Sequence, residues 1–139
     1  MTLAVETSVR RWEVLLETLA DARVAAAVAR DAAMSEGLAS RAAGAGATAA
    51  AELATNVIRH GKGGCLTVEH REGSLWLTAE DRGDGCEALL ARAFDRAAAD
   101  PRSHGIGAVA RLMDGVRIAR RQGGGLAITV WKRRSHEGG

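Results

Sequence analysis

Glu52, Asn56 and His60 stand four residues apart within Ala49-Ala-Ala-Glu-Leu-Ala-Thr-Asn-Val-Ile-Arg-His60. On a helix of about 3.6 residues per turn, three such side chains stack along one face. Ala50, Leu53 and Val57 fall on the adjoining face, so the segment reads as a half-buried helix with a polar ridge. A carboxylate and a carboxamide one turn apart can hold Mg²⁺ and its water beside a phosphate chain. An ordinary solvated helix face has the same spacing. What separates the two readings is the company this helix keeps.

Two glycine clusters follow it. Asp81-Arg-Gly-Asp-Gly85 comes directly after an alternating stretch. Gly83 and Gly85 there allow positive φ and let a flat ligand approach without a Cβ in the way. Asp81, at the strand end, can accept a hydrogen bond from an exocyclic amine such as adenine's, although a plain tight turn has the same composition. Gly105-Ile-Gly107 then opens Ala108-Val-Ala-Arg-Leu-Met-Asp114, and unpaired N–H groups at a helix start attract phosphate. Neither cluster is a dinucleotide fingerprint, which needs Gly-x-Gly-x-x-Gly in a parallel βαβ unit. No Gly-Lys-Ser/Thr follows, so a P-loop is excluded, and the calcium-loop pattern lacks its final Glu. The order of the three motifs carries more than any one of them.

The elements that must position these groups alternate in character. Trp12 to Leu19 is short enough for a strand yet helical in propensity. Asp21 to Glu36 is alanine-rich and reads as a helix that Asp21 can cap and Gly37 ends. Ser40 to His60 reads as a second long helix, with Gly44 and Gly46 each weakening its start by roughly 1 kcal/mol. Cys65–His70 and Leu75–Ala79 alternate as strands around the turn Arg71-Glu-Gly-Ser74. Glu87 to Arg96 suggests a short helix, Asp100 to Ser103 a loop, and Gly107 to Asp114 a third helix. Val116–Arg120 and Ala127–Trp131 form a second hairpin around Gln122-Gly-Gly-Gly125. The expectation is an α+β fold, a two-layer α/β sandwich with helices on one face of a mixed, mostly antiparallel sheet. The other sheet face is left open to a partner.

At 139 residues the chain is sized for one domain, 1–139, with its core at about 12–132 and a basic tail from 132. Hydrophobic content of 47% beside 26% charged residues marks a globular chain rather than a disordered one. A net charge of +2 argues against nucleic acid as a partner, and no apolar run approaches a membrane span. Two cysteines, Cys65 and Cys86, make no disulfide framework or zinc site, and the start lacks a secretory signal. A cytoplasmic protein is expected. Trp131 and the alanine-rich helices suit either a homodimer contact or the core.

With these motifs in order, the chain resembles the GHKL (Bergerat-fold) ATPases, the superfamily of gyrase, MutL and histidine-kinase catalytic domains. The strings Ala-Glu-Leu-Ala-Thr-Asn-Val-Ile-Arg-His-Gly, Asp-Arg-Gly-Asp-Gly and Gly-Ile-Gly-Ala-Val-Ala-Arg-Leu-Met-Asp are most similar to single-domain anti-sigma-factor serine/threonine kinases. The stressosome switch kinase (RsbT type) is the nearest variety. The resemblance implies an ATP-binding, Mg²⁺-dependent protein kinase that phosphorylates a STAS-domain (anti-anti-sigma) partner, with a sigma factor or a phosphatase as switch target. Under it Glu52 is the general base and Asn56 the Mg²⁺ ligand. Asp81 reads the adenine amino group, and Gly83 and Gly85 shape that pocket. Gly105, Ile106 and Gly107 belong to the lid over the phosphates. His60 and Lys62 lie near the phosphates, with His60 assigned to packing at the helix end.

The chain also departs from the family pattern. Asp84 stands where proline is common, Ser103 where a lid glycine is common, and Leu126 where a threonine usually faces the nucleotide. Thr129, further along the strand, is expected to point elsewhere or to replace that hydroxyl only in part. These departures bear on nucleotide affinity, and they admit a second function: a weakly catalytic or non-catalytic anti-sigma or switch module that sequesters a protein. A gyrase-like hydrolase cycle is disfavoured, because no transducer domain follows the last strand.

Overall fold

Val14 and Leu16 are buried while Glu13 and Leu15 face outward, the period of a half-buried strand. That settles the ambiguous opening segment. The computed structural model describes residues 10–60, 62–83 and 105–134. Its elements run β1 (Arg10–Leu16), α1 (Leu19–Ser35), α2 (Ser40–His60), β2 (Gly64–Arg71), β3 (Ser74–Asp81), α3 (Ile106–Leu112), β4 (Gly115–Arg120) and β5 (Leu126–Arg133). The expected helix at 87–96 and loop at 100–103 fall outside the described residues. The strand order is β1-β2-β3-β5-β4. Every pairing among the described strands is antiparallel, in keeping with the mostly antiparallel sheet expected.

α1 begins at Leu19, earlier than the alanine pattern suggests, because Asp21 acts from inside the first turn. Its Oδ2 accepts the backbone N–H groups of Glu17 and Thr18, each at 2.8 Å. These bonds hold the Asp21 carboxyl below its ordinary pKa. α2 keeps its expected bounds. Ala25, Ala29 and Ala33 of α1 and Ala43, Ala50 and Ala54 of α2 are buried in one cluster, and such short side chains let the packed helices approach closely. Beneath them lie Leu16, Leu66, Val68, Leu75, Leu77, Ile128 and Val130 from the sheet.

Gly46 belongs to this packing: a Cβ there would collide with the Leu75 side chain. Gly44, two residues earlier, has nothing within 4 Å of where its Cβ would be. The helix therefore tolerates one glycine and requires the other.

The second face of the sheet carries no helix among the described residues. Register aligns Glu13, Thr67, Thr78, Thr129 and Arg117 in one row across it, and the Oγ1 atoms of Thr78 and Thr129 meet at 3.3 Å. In the next row Trp76 and Trp131 stack at 5.0 Å with 24° between rings. The Arg71 guanidinium lies 4.7 Å from the Trp76 ring. Trp131 thus sits half-buried on the open face rather than in the helix-covered core.

Candidate functional site

Glu52, Thr55, Asn56, Arg59 and His60 occupy one stripe of α2 and, with Gly105, line a cavity of about 140 Å³. The stripe follows from spacing: positions i, i+3, i+4, i+7 and i+8 share a face. Leu53 and Val57, buried on the adjoining face, fix the helix's rotation against the sheet. Glu52 and Asn56 are half-buried, as a group that must be both held and reached should be. Gly105 adopts φ 62° and ψ −124° as it opens α3, and its carbonyl accepts the Val109 N–H at 3.2 Å. A side chain there would be strained. A Cβ at Gly105 would also lie 3.7 Å from Glu52 Oε2, so the backbone at that turn sits directly beside the carboxylate. Gly107 is buried in the same turn.

Three cavity residues differ from the sequence reading. Thr55 and Arg59, absent from the motif reading, stand i+3 and i+7 from Glu52 and so share its face. The Thr55 hydroxyl donates back to the Ala51 carbonyl at 2.8 Å, whereas Arg59 is exposed at the mouth. His60 was assigned to packing at the helix end; it is exposed and lines the cavity. It stands in the last turn of α2, at the C-terminal end of the helix. Arg59 and His60 are the basic residues of that last turn, where the helix dipole favours positive charge.

Asp81 and Gly83 do not line this cavity. Asp81 ends β3, and its Oδ1 accepts the N–H of Gly83 at 2.9 Å and of Leu126 at 3.4 Å. The first bond is an Asx turn, the local use of Asp that tight turns favour. Arg121, also passed over, donates from Nη1 to the Asp81 carbonyl at 3.0 Å and pairs through Nε with Glu80 at 3.4 Å. No local signal marks Arg121, because its role depends on the β3–β5 register. Gly123, Gly124 and Gly125 have φ of 91°, 111° and 87°, a run only glycine adopts readily. A Cβ on Gly125 would strike the Asp81 carbonyl. Asp84, Gly85, Cys86 and Ser103 fall outside the described residues.

Leu126 is buried beside Asp81 and brings no hydroxyl. Thr129 faces Thr78 on the open side of the sheet, so it does not replace the missing group. Burial, then the charges of Glu13 and Glu80, push the Cys65 thiol pKa up, which disfavours the reactive thiolate.

The donor chemistry fits magnesium. Among the described residues no three His, Cys, Asp or Glu side chains converge as a metal cage. One amide oxygen and one carboxylate remain, and Mg²⁺ habitually completes such a shell with water and phosphate oxygens. A volume of about 140 Å³ is below the roughly 300 Å³ of sites that enclose a whole organic ligand. It suits the phosphate end of a nucleotide, with the purine outside it.

A helix-borne carboxylate and carboxamide under a glycine-opened turn, on a two-layer sandwich, is the architecture of a nucleotide-binding domain. The chain belongs to the histidine kinase-like ATPase domain family, whose family model matches residues 15–132. ATP binding, and ATP-utilising activity in general, come with that membership. No curated protein matches the chain closely enough to narrow the assignment. No helix among the described residues is long and apolar enough to cross a membrane.

Proposed function

We propose that this protein is an ATP-dependent serine/threonine kinase of the anti-sigma switch type, acting in the cytoplasm on a STAS-domain partner. The observation that carries the reading is the placement of Glu52 one turn from Asn56 with the Gly105 backbone against its carboxylate. Mg-ATP, when bound, supplies the phosphoryl group and the metal charge that neutralises it. The chain's own residues then have few tasks, since phosphoryl transfer depends mainly on positioning and electrostatics. Glu52 orients the partner's hydroxyl and takes its proton as the oxygen attacks. Asn56 offers its amide oxygen to the cation. Asp81, whose backbone carbonyl accepts from Arg121 at the strand end, accepts from the purine amine.

The test is a titration with Mg-ATP followed by a phosphorylation assay on STAS proteins encoded nearby in the genome. Saturable binding with phosphate appearing on a partner serine or threonine is the expected result. Binding without transfer to any STAS protein sinks the kinase reading. A second reading, capture of a protein partner without catalysis, is supported by Leu126 and the outward Thr129, which leave the nucleotide side short of a hydroxyl. Nucleotide-dependent capture with no phosphoprotein formed distinguishes it.

A further inference from the structure

The other end of α2 borders a much larger cavity, about 860 Å³. Among the described residues Arg41, Arg111, Lys132, Arg133 and Arg134 line it against a single carboxylate, Asp114. That carboxylate is already engaged. Its Oδ2 accepts the Arg133 N–H at 2.6 Å, and Oδ1 lies 3.8 Å from Lys132 Nζ. The whole chain carries a net charge of only +2, so positive charge is concentrated here well beyond the average. The first turn of α2 contains no acidic residue, so the positive end of its dipole adds to the field. Arg134 reaches back towards the α1–α2 turn, with Nη2 3.0 Å from where a Gly37 Cβ would lie.

Apart from Thr48, the remaining wall among the described residues is small and apolar. Ala39, Ala42, Ala45 and Leu112 contribute, together with Gly44, whose missing side chain leaves open space. Among the described residues no aromatic side chain lines the cavity, so they offer bases no stacking platform of the kind single-stranded nucleic acid uses. An isolated phosphate would fill a small fraction of the volume. Guanidinium forks match carboxylates in pairs, and the alanine floor accepts the methylenes between backbone and carboxylate.

We infer that this cavity is a docking site for an acidic peptide segment, a short run of Asp and Glu side chains on a partner protein. Gly44 and Asn56 are 12 residues apart along α2, about 18 Å of helix. A partner gripped at Arg41 and Arg133 therefore leaves the Glu52 cavity open.

The experiment is fluorescence anisotropy of a labelled oligo-aspartate peptide with the full chain, at low and at physiological salt. Saturable binding that weakens with salt is expected. The double variant Arg41→Glu/Arg133→Glu should weaken it by roughly tenfold or more, the scale of lost charge-assisted contacts. Both residues are exposed, so the fold should survive. Gly44→Glu, which projects a carboxylate into open space, should weaken it comparably, while Glu52→Ala should leave it unchanged. Undiminished peptide affinity in folded Arg41→Glu/Arg133→Glu and Gly44→Glu proteins overturns the proposal. So does displacement of the peptide by equimolar inorganic phosphate, or tighter variant-sensitive binding of a single-stranded oligonucleotide.

Discussion

Along α2, Arg41, Ala42, Gly44, Ala45 and Thr48 line a wide cavity of about 860 Å³, and Glu52, Thr55, Asn56, Arg59 and His60 a narrow one of about 140 Å³. The wide end offers fixed positive charge, and Asp114, its one carboxylate among the described residues, is bonded to its neighbours. The narrow end offers a carboxylate and an amide oxygen aimed past a backbone turn. Volume does not rank these sites; donor chemistry does. The first can hold anions, and the second can handle a proton and a hard cation. The glycines of the helix follow the same division. Gly46 is pressed onto the sheet, Gly44 opens into the large cavity, and the chemistry begins where the glycines end.

The strongest way to break this contrast is Glu52→Ala. Removing a general base costs about 10²–10⁴-fold in transfer, and the variant should still bind Mg-ATP; near-normal phosphorylation would remove Glu52 from the mechanism. Asn56→Ala should act on binding instead, which calorimetry with Mg-ATP checks. Unchanged affinity there would contradict its role as ligand. Gly125→Ala tests the strand end that carries Asp81. A positive φ and a collision with the Asp81 carbonyl should cost about 1–3 kcal/mol of stability, read by denaturant unfolding, and weaken nucleotide binding as well.

Smaller effects sharpen the division within the helix. Gly46→Val should destabilise by about 1–3 kcal/mol through overpacking against Leu75, whereas Gly44→Ala should stabilise by about 0.5–1 kcal/mol. Equal responses at the two positions would mean the helix does not sit on the sheet as described.

The smallest expected effect is a pH dependence. His70 is 5% exposed. Burial lowers its pKa from the usual 6.5, with Arg134 and Arg10 adding to the effect and Glu36, 3.4 Å from Nδ1, opposing it. Nε2 is buried with no hydrogen-bond partner among the described residues. The unfolded chain therefore takes up a proton that the folded chain resists. Stability should be constant above pH 6.5 and fall as pH drops below it, and His70→Gln should flatten that slope in thermal melts.

Strand and helix positions were largely legible in the sequence, because burial periodicity is written locally. α2 kept its bounds from Ser40 to His60, and the Arg71–Ser74 turn closed as its glycine suggested. Local reading failed where a partner decides. Trp12–Leu16 became a strand through its pairing with Gly64–Val68. Asp21 proved to act from within the first turn rather than at the cap. Trp131 found its stacking partner only through the β3–β5 register. In the site, Glu52 and Asn56 were readable from spacing along one helix. Arg121, 40 residues from Asp81, was not, since its contact exists only once β5 lies beside β3.

The chain contains three tryptophans and no tyrosine, and all three, Trp12, Trp76 and Trp131, lie on strands of the sheet. Ultraviolet emission from this protein is therefore a monitor of one layer alone. With two of the indoles stacked at 5.0 Å, their coupled transitions should give a near-ultraviolet dichroic couplet that vanishes when β3 and β5 separate. Ligands at either end of α2 would leave that couplet nearly untouched, so a change in it on adding a partner would place the partner on the uncovered side of the sheet.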